Sequence, residues 1–265
     1  MKISIIAGST EQIPERAWEV VQQAVVDCPS ADFILLPAEF LGRTDPLASA
    51  DLRAKVQLGL SELARSKGSY IVGGALLAAD GKQSVSYFFD KTGTIVHTQS
   101  SPFIGEQKQS GNYFSVIETE FGRIGILNGN DIWVWESSRI LSLKGAEILF
   151  VPTQLGHKNA ASKIASLWGL ATLNCVAIAF ASAPSATSKG FATVILPSGV
   201  LAQSVEDGSA QLQAEILPGQ MAKLRDADLT FANTLWFGLW SRRKQLYGPL
   251  VQEAPLAAAK ECGNA

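Results

Sequence analysis

Short β-branched runs alternate with segments of helical periodicity through the first part of this chain, and that alternation leaves few folds open. Residues 2–7 read as a buried strand ended by Gly8-Ser9-Thr10. Pro14 then sits early in a helical pattern, where its missing N–H costs nothing. Trp18, Val21, Val25 and Cys28 follow at three- and four-residue spacing, one face of a helix. Residues 33–37 make a second buried strand. Leu52, Val56, Leu60 and Leu63 mark a second amphipathic helix stopped at Gly68, and 70–74 is a third strand. The order strand, helix, strand, helix, strand predicts a sheet with parallel neighbours and helices packed on it.

The pattern then changes. Residues 84–90 and 94–99 flank Lys91-Thr92-Gly93, and 114–118 and 123–128 flank Phe121-Gly122, both hairpin signals. A helix over 136–144, a strand over 147–151, a helix over 160–173 and a strand over 175–181 restore the alternation. A third hairpin pairs 191–196 with 200–203 around Pro197-Ser198-Gly199, and 211–216 is the last expected strand. There is no internal sequence repeat and no linker. The chain therefore reads as one domain over 1–250, with an Ala-rich, weakly patterned tail over 251–265.

Charge and cysteine usage exclude several functions. Lys and Arg number 22 against 24 Asp and Glu, a net charge of −2 with no basic run, which argues against a sequence-independent nucleic-acid binder. Cys28, Cys175 and Cys262 are far apart, which suits a reducing compartment and offers no zinc spacing. No apolar stretch approaches the roughly 18 residues of a transmembrane helix, and the N-terminal run is too short for a signal peptide. The expectation is a cytoplasmic protein without cofactor or metal, and without membrane or nucleic-acid partners.

Several segments together resemble one family. Phe121-Gly122-Arg123-Ile124-Gly125-Ile126-Leu127, followed by Asp131 and Glu136, resembles the strand, nucleophile turn and helix of the nitrilase, or carbon–nitrogen hydrolase, superfamily. Arg139-Ile140-Leu141, Lys144-Gly145-Ala146-Glu147-Ile148-Leu149 and Pro152 resemble its next helix and strand. Gly190-Phe191-Ala192-Thr193 through Pro197-Ser198-Gly199 resembles its late hairpin, and Arg242-Arg243 with Tyr247 its C-terminal ending. The resemblance implies a four-layer αββα sandwich, an α/β fold. It further implies a homodimer paired through a helical face, with larger homo-oligomers built on it.

Members of that family use a glutamate base, a lysine and a cysteine nucleophile: thiolate attacks carbon, glutamate moves the proton, and lysine stabilises the oxyanion. The glutamate follows the proline that ends the second strand. Here that stretch is Leu36-Pro37-Ala38-Glu39-Phe40, so Ala38 holds the position in strict register and Glu39 if the turn shifts by one residue. The lysine position falls on Ser101, or Ser100, and no lysine stands there. Lys108 lies further on. Glu106 matches a second glutamate that lines the family's pocket. The nucleophile position, two residues before Asp131, is Gly129. Glycine tolerates a strained turn but has no side chain to attack with. On the late helix, Leu170-Ala171-Thr172-Leu173-Asn174 keeps only Ala171 and Asn174 of the family's Arg-Ala-x-Glu-Asn.

Asn128, Asn130 and His157 are further pocket candidates. His97 and His157 are too far apart in sequence to suggest a paired site. Ser100 and Ser101 have no evident His or Asp partner, which argues against a serine hydrolase. Three functions follow. The first is a non-hydrolytic pseudoenzyme that binds a small molecule or assembles with a partner such as an active paralogue. The second is an enzyme acting on a small C–N substrate by carboxylate chemistry through Glu39 and Glu106. The third is an ordinary amidase whose nucleophile lies elsewhere, with Cys175 the candidate.

Overall fold

A computed structural model describes residues 1–6, 13–41, 50–77, 84–101, 114–153, 160–183, 190–203, 211–217, 219–226, 242–243, 245 and 247. Its elements in chain order are β1 (Lys2–Ile6), α1 (Pro14–Asp27), β2 (Phe33–Leu35), α2 (Ala50–Lys67), β3 (Tyr70–Leu77), β4 (Ser84–Phe89), β5 (Ile95–Ser100), β6 (Val116–Thr119) and β7 (Gly122–Ile126). A 3₁₀ turn (Gly129–Trp133) follows, then α3 (Trp135–Leu143), β8 (Ile148–Thr153), α4 (Ala160–Asn174), β9 (Ala177–Ser182), β10 (Phe191–Leu196), β11 (Gly199–Gln203), β12 (Gln211–Glu215) and α5 (Gln220–Asp226).

The strands form two six-stranded sheets, ordered β12-β1-β2-β3-β4-β5 and β11-β10-β9-β8-β7-β6. The parallel neighbours expected from the alternation are there: β1-β2-β3 in one sheet and β7-β8-β9 in the other. The hairpin strands then extend each sheet antiparallel, through β4 and β5 in the first and β10 and β11 in the second. An antiparallel edge strand, β12 or β6, closes the other side of each. The two halves thus share one topology, although no repeat is visible in the sequence.

Side chains alternate across each strand, so every apolar strand feeds two cores. Ile3, Ile5, Phe33, Leu35, Val72 and Phe88 face Ile124, Ile126, Ile148, Phe150 and Val194 between the sheets. Ile6, Ile34, Leu36, Ile71 and Phe89 face outward onto Trp18, Val21, Val25, Val56 and Leu60 of α1 and α2. Leu149, Val151, Ile178 and Phe180 face outward onto Leu141 of α3 and Leu167 and Ala171 of α4. Three cores between four layers make an αββα sandwich.

At one end of the sandwich the sheets are clasped. Lys91, in the β4–β5 turn, pairs with Glu120 of the β6–β7 turn at 2.5 Å, and the Tyr70 hydroxyl donates to the same carboxylate. Burial and Glu120 push the Tyr70 phenol up to about 12. Phe33 stacks on Tyr70 at 5.0 Å and tilts against Phe150 at 5.2 Å nearby.

α5 has no counterpart in the sequence expectation. Its Arg225 reaches the C-terminal ends of both helices on the second sheet. Nε donates to the Cys175 carbonyl at 3.1 Å, Nη1 to that of Gly145 at 3.3 Å, and Nη2 to that of Ala146. These carbonyls follow directly on the ends of α3 and α4, and one half-buried guanidinium satisfies all three. No helix among the described residues is long and apolar enough to cross a membrane. Among those residues no group of three His, Cys, Asp or Glu is placed to hold a metal. The tail over 251–265, Lys108 and Cys262 lie outside the described residues.

Candidate functional site

The C-terminal ends of β2, β5, β7 and β8 meet at the end of the sandwich opposite the Lys91–Glu120 clasp. The register fixes this. Leu76 and Leu77 near the end of β3 pair with the start of β4, and Val85 there pairs with Ser100 at the end of β5.

Pro37 and Ala38 leave β2 under tight restraint. A Cβ on Gly74 of β3 would stand 1.6 Å from the Pro37 carbonyl oxygen, so only glycine lets the two backbones approach this closely. Ala38 is buried. Glu39 is half-buried, with its Oε2 atom out of contact with solvent. Its φ of 51° lies in the left-handed region, which few residues other than glycine adopt.

β5 presents Gln99 and Ser101 on one face, both buried, at 3% and 4% exposure; Ser100 between them points the other way and is half-buried. Asn128, just beyond β7, bridges the two sheets. Its Nδ2 donates to the Gln99 carbonyl of β5, and its Oδ1 accepts from the Ser86 hydroxyl of β4 at 2.5 Å. Asn128 is 1% exposed, so this pair of bonds fixes the β7 terminus against the opposite sheet.

Gly129 opens the 3₁₀ turn at φ 52°, and a Cβ built on it would meet no atom within 4 Å. The Asp131 backbone N–H donates to the Asn128 carbonyl at 2.9 Å and tightens the turn. The Ser101 hydroxyl donates to Asp131 Oδ1 at 2.5 Å. Asp131 is 1% exposed, and burial pushes its carboxyl up to about 6, with the Ser101 hydroxyl and the Asn128 backbone pulling it partway back. Asp131 Oδ2 is buried and, among the described residues, accepts no hydrogen bond. So is Thr153 Oγ1 at the end of neighbouring β8.

The structure therefore gathers Asn128, Gly129 and Ser101, with Glu39 at the same end of the sandwich. Ser101 has the Asp partner that the sequence failed to suggest, because Asp131 lies 30 residues away on the other sheet. Asn130 lies in the 3₁₀ turn; Glu106 and His157 fall outside the described residues. Two members of the cluster escaped the sequence reading, Gln99 and Ser86. Gln99 was detectable in principle, being two residues before Ser101 and so on the same face of a strand. Nothing local in the sequence marks Ser86, whose partner is 42 residues away.

The two described cysteines, Cys28 and Cys175, are elsewhere. Cys175 precedes β9 and Cys28 precedes β2, so both lie at the N-terminal ends of parallel strands, across the molecule from Gly129. Both are buried, and burial pushes the Cys175 thiol up.

Two mixed sheets between helical layers, with strand ends converging on a tight strand-to-helix turn, define an αββα sandwich. A model of the family described as carbon-nitrogen hydrolase matches residues 3–175, and the chain belongs to that family. Over 45 residues, 17% of this chain and 15% of the relative's length, it is 44% identical to an N-carbamoylputrescine amidase of Arabidopsis thaliana. Among solved structures it resembles a carbon-nitrogen hydrolase from Helicobacter pylori G27, with 19% identity and a TM-score of 0.75, over 95% of this chain and 98% of that one. It also resembles an amidase from Nesterenkonia sp., with 18% identity and a TM-score of 0.75, over 95% and 96% of the two chains. A mutant of the Nesterenkonia sp. AN1 amidase in complex with butyramide matches with 18% identity and a TM-score of 0.74, over 93% and 95%. At these identities the structural likeness establishes the fold.

Proposed function

We propose that this chain is a non-hydrolytic member of its family, which keeps the sandwich to bind a small molecule or to assemble with a partner. The observation that supports this most directly is Gly129. It stands at the nucleophile turn with left-handed backbone and open space where a thiol would project. The inward face of β5 next to that turn carries Gln99 and Ser101, both neutral, where the reaction needs a cation to stabilise the oxyanion. In this reading Ser101, or Ser100, stands in the lysine's place, and Ala38 or Glu39 in the glutamate's. Glu106, Asn130 and His157 remain pocket candidates. A conventional amidase working through Cys175 is disfavoured, because that thiol is sealed and lies at the wrong end of the strands.

Assembly has its own support. Trp135, Ile140 and Leu143 of α3 and Trp168 and Leu173 of α4 are large apolar side chains left exposed on the outer layer. Such a surface suits a homodimer paired through these helices, or pairing with an active paralogue.

The test is ammonia release from small primary amides and nitriles, the first compounds to screen given the amidases among similar proteins, alongside calorimetric binding of the same compounds. Binding without turnover is expected. Ammonia release at enzymatic rates would sink the reading. A second reading, acid–base chemistry by Glu39 with Glu106, gains support from the half-buried Glu39 carboxylate and the near-neutral titration of Asp131 beside the turn. It requires turnover that survives thiol-blocking reagents and disappears in Glu39→Gln.

A further inference from the structure

We propose that Arg139, Arg242 and Tyr247 form a binding site for a small oxyanion, a phosphate or carboxylate group, at the outer helical layer. The site involves no residue of the nucleophile turn and does not depend on whether the chain hydrolyses amides. Arg139 lies in the middle of α3 and is half-buried. Its guanidinium joins no ion pair among the described residues, and Nη1 is out of solvent contact without a hydrogen-bond partner. Of its nitrogens only Nη1 is sealed in this way, and the half-buried side chain leaves the rest of the group within reach of solvent. Glu136, one turn earlier on α3, leaves it unpaired. α4 packs alongside, with Asn174 Nδ2 donating to the Ser138 hydroxyl at 2.9 Å. The last residues of that helix, Leu170-Ala171-Thr172-Leu173-Asn174, bring no carboxylate.

What stands near Arg139 is a second cation. Burial, and after it the charge of Arg242, push the Arg139 guanidinium below its ordinary value, while Tyr247 acts the other way. Arg242 lies over the Tyr247 ring, its guanidinium carbon 6.0 Å from the ring centroid. Two guanidiniums that repel each other, one of them half-buried and short of acceptors, raise the energy of the folded chain until an anion joins them. An oxyanion removes the repulsion and accepts from both planar forks at once, and the phenol adds a further donor. A neutral ligand would bring acceptors without relieving the charge.

The test is calorimetric titration of the full chain with inorganic phosphate and with acetate, each at constant ionic strength in Tris chloride at pH 7.5, repeated on Arg139→Gln and Arg242→Gln. Saturable binding of at least one anion is expected, weakened about tenfold or more in each variant. Phosphate binding alone assigns the site to phosphate groups; acetate binding as tightly or more tightly assigns it to carboxylates. No binding of either anion, or binding unchanged in both variants, overturns the proposal. Absent binding together with loss of a dimer in Arg139→Gln, read by light scattering, would also overturn it and give the guanidinium to a second copy of the chain. Should Arg139→Gln not fold, Arg242→Gln, which lies outside the helices, decides alone.

Discussion

Gly129 and Asp131 carry the consequences at the scale of single residues. A side chain at φ 52° is strained but not blocked, and nothing lies within 4 Å of its Cβ. Gly129→Cys should therefore fold at a cost of about 1 kcal/mol, visible as a melting temperature lower by roughly 2–4 °C. The new thiol should be alkylated by iodoacetamide yet release no ammonia from amides, because in the proposed reading the lysine's position is held by Ser101 or Ser100. Asp131 predicts a pH dependence. Its folded value of about 6 lies above the ordinary 3.8, so between these values the folded protein holds a proton that the unfolded chain has released. The cost of the buried charge is fully present above about pH 6 and is relieved as pH falls toward 4. A gap of about two pH units corresponds to roughly 3 kcal/mol at most. Urea unfolding between pH 4 and 7 should show stability falling with rising pH from this group, and Asp131→Asn should remove that part of the slope.

At the scale of elements, Arg225 and Gly74 hold pieces together that sequence periodicity treats as separate. Removing the Arg225 guanidinium strands the carbonyls of Gly145, Ala146 and Cys175 at two helix ends. Arg225→Met should cost about 3 kcal/mol, measured by chemical denaturation, with α5 losing hydrogen-exchange protection first. Gly74→Ala would drive a methyl to 1.6 Å from the Pro37 oxygen, forcing β3 and the β2 terminus apart. A loss of more than about 3 kcal/mol, or failure to fold, is expected. Elements with strong periodicity were legible in the sequence: α1 starts at Pro14 as the N1 preference predicts, and its buried face includes Trp18, Val21 and Val25. α5 was not, because seven residues give barely two turns of pattern and it docks through one arginine. The Ser101–Asp131 and Ser86–Asn128 bonds were equally hidden, since each joins residues from opposite sheets.

At the scale of the molecule, the order of motifs specified the two-sheet sandwich, while the duplication of its two halves left no trace in side-chain identity. What the sequence marks as missing from the site is as informative as what it keeps. Gly129 is readable because its flanks, Gly125 and Asp131, hold it in place, whereas the glutamate's position slides between Ala38 and Glu39 on a turn of unusual backbone. The exposed apolar residues of α3 and α4 predict a dimer, and Leu173→Glu should shift it to monomer in light scattering without lowering the melting temperature of the isolated chain. The central claim, a hydrolase fold kept without hydrolysis, is tested most directly by ammonia release from butyramide at high protein concentration over hours. The account predicts a rate indistinguishable from buffer, with Gly129 unaltered. Turnover that persists through repeated purification and falls away in Glu39→Gln would contradict it.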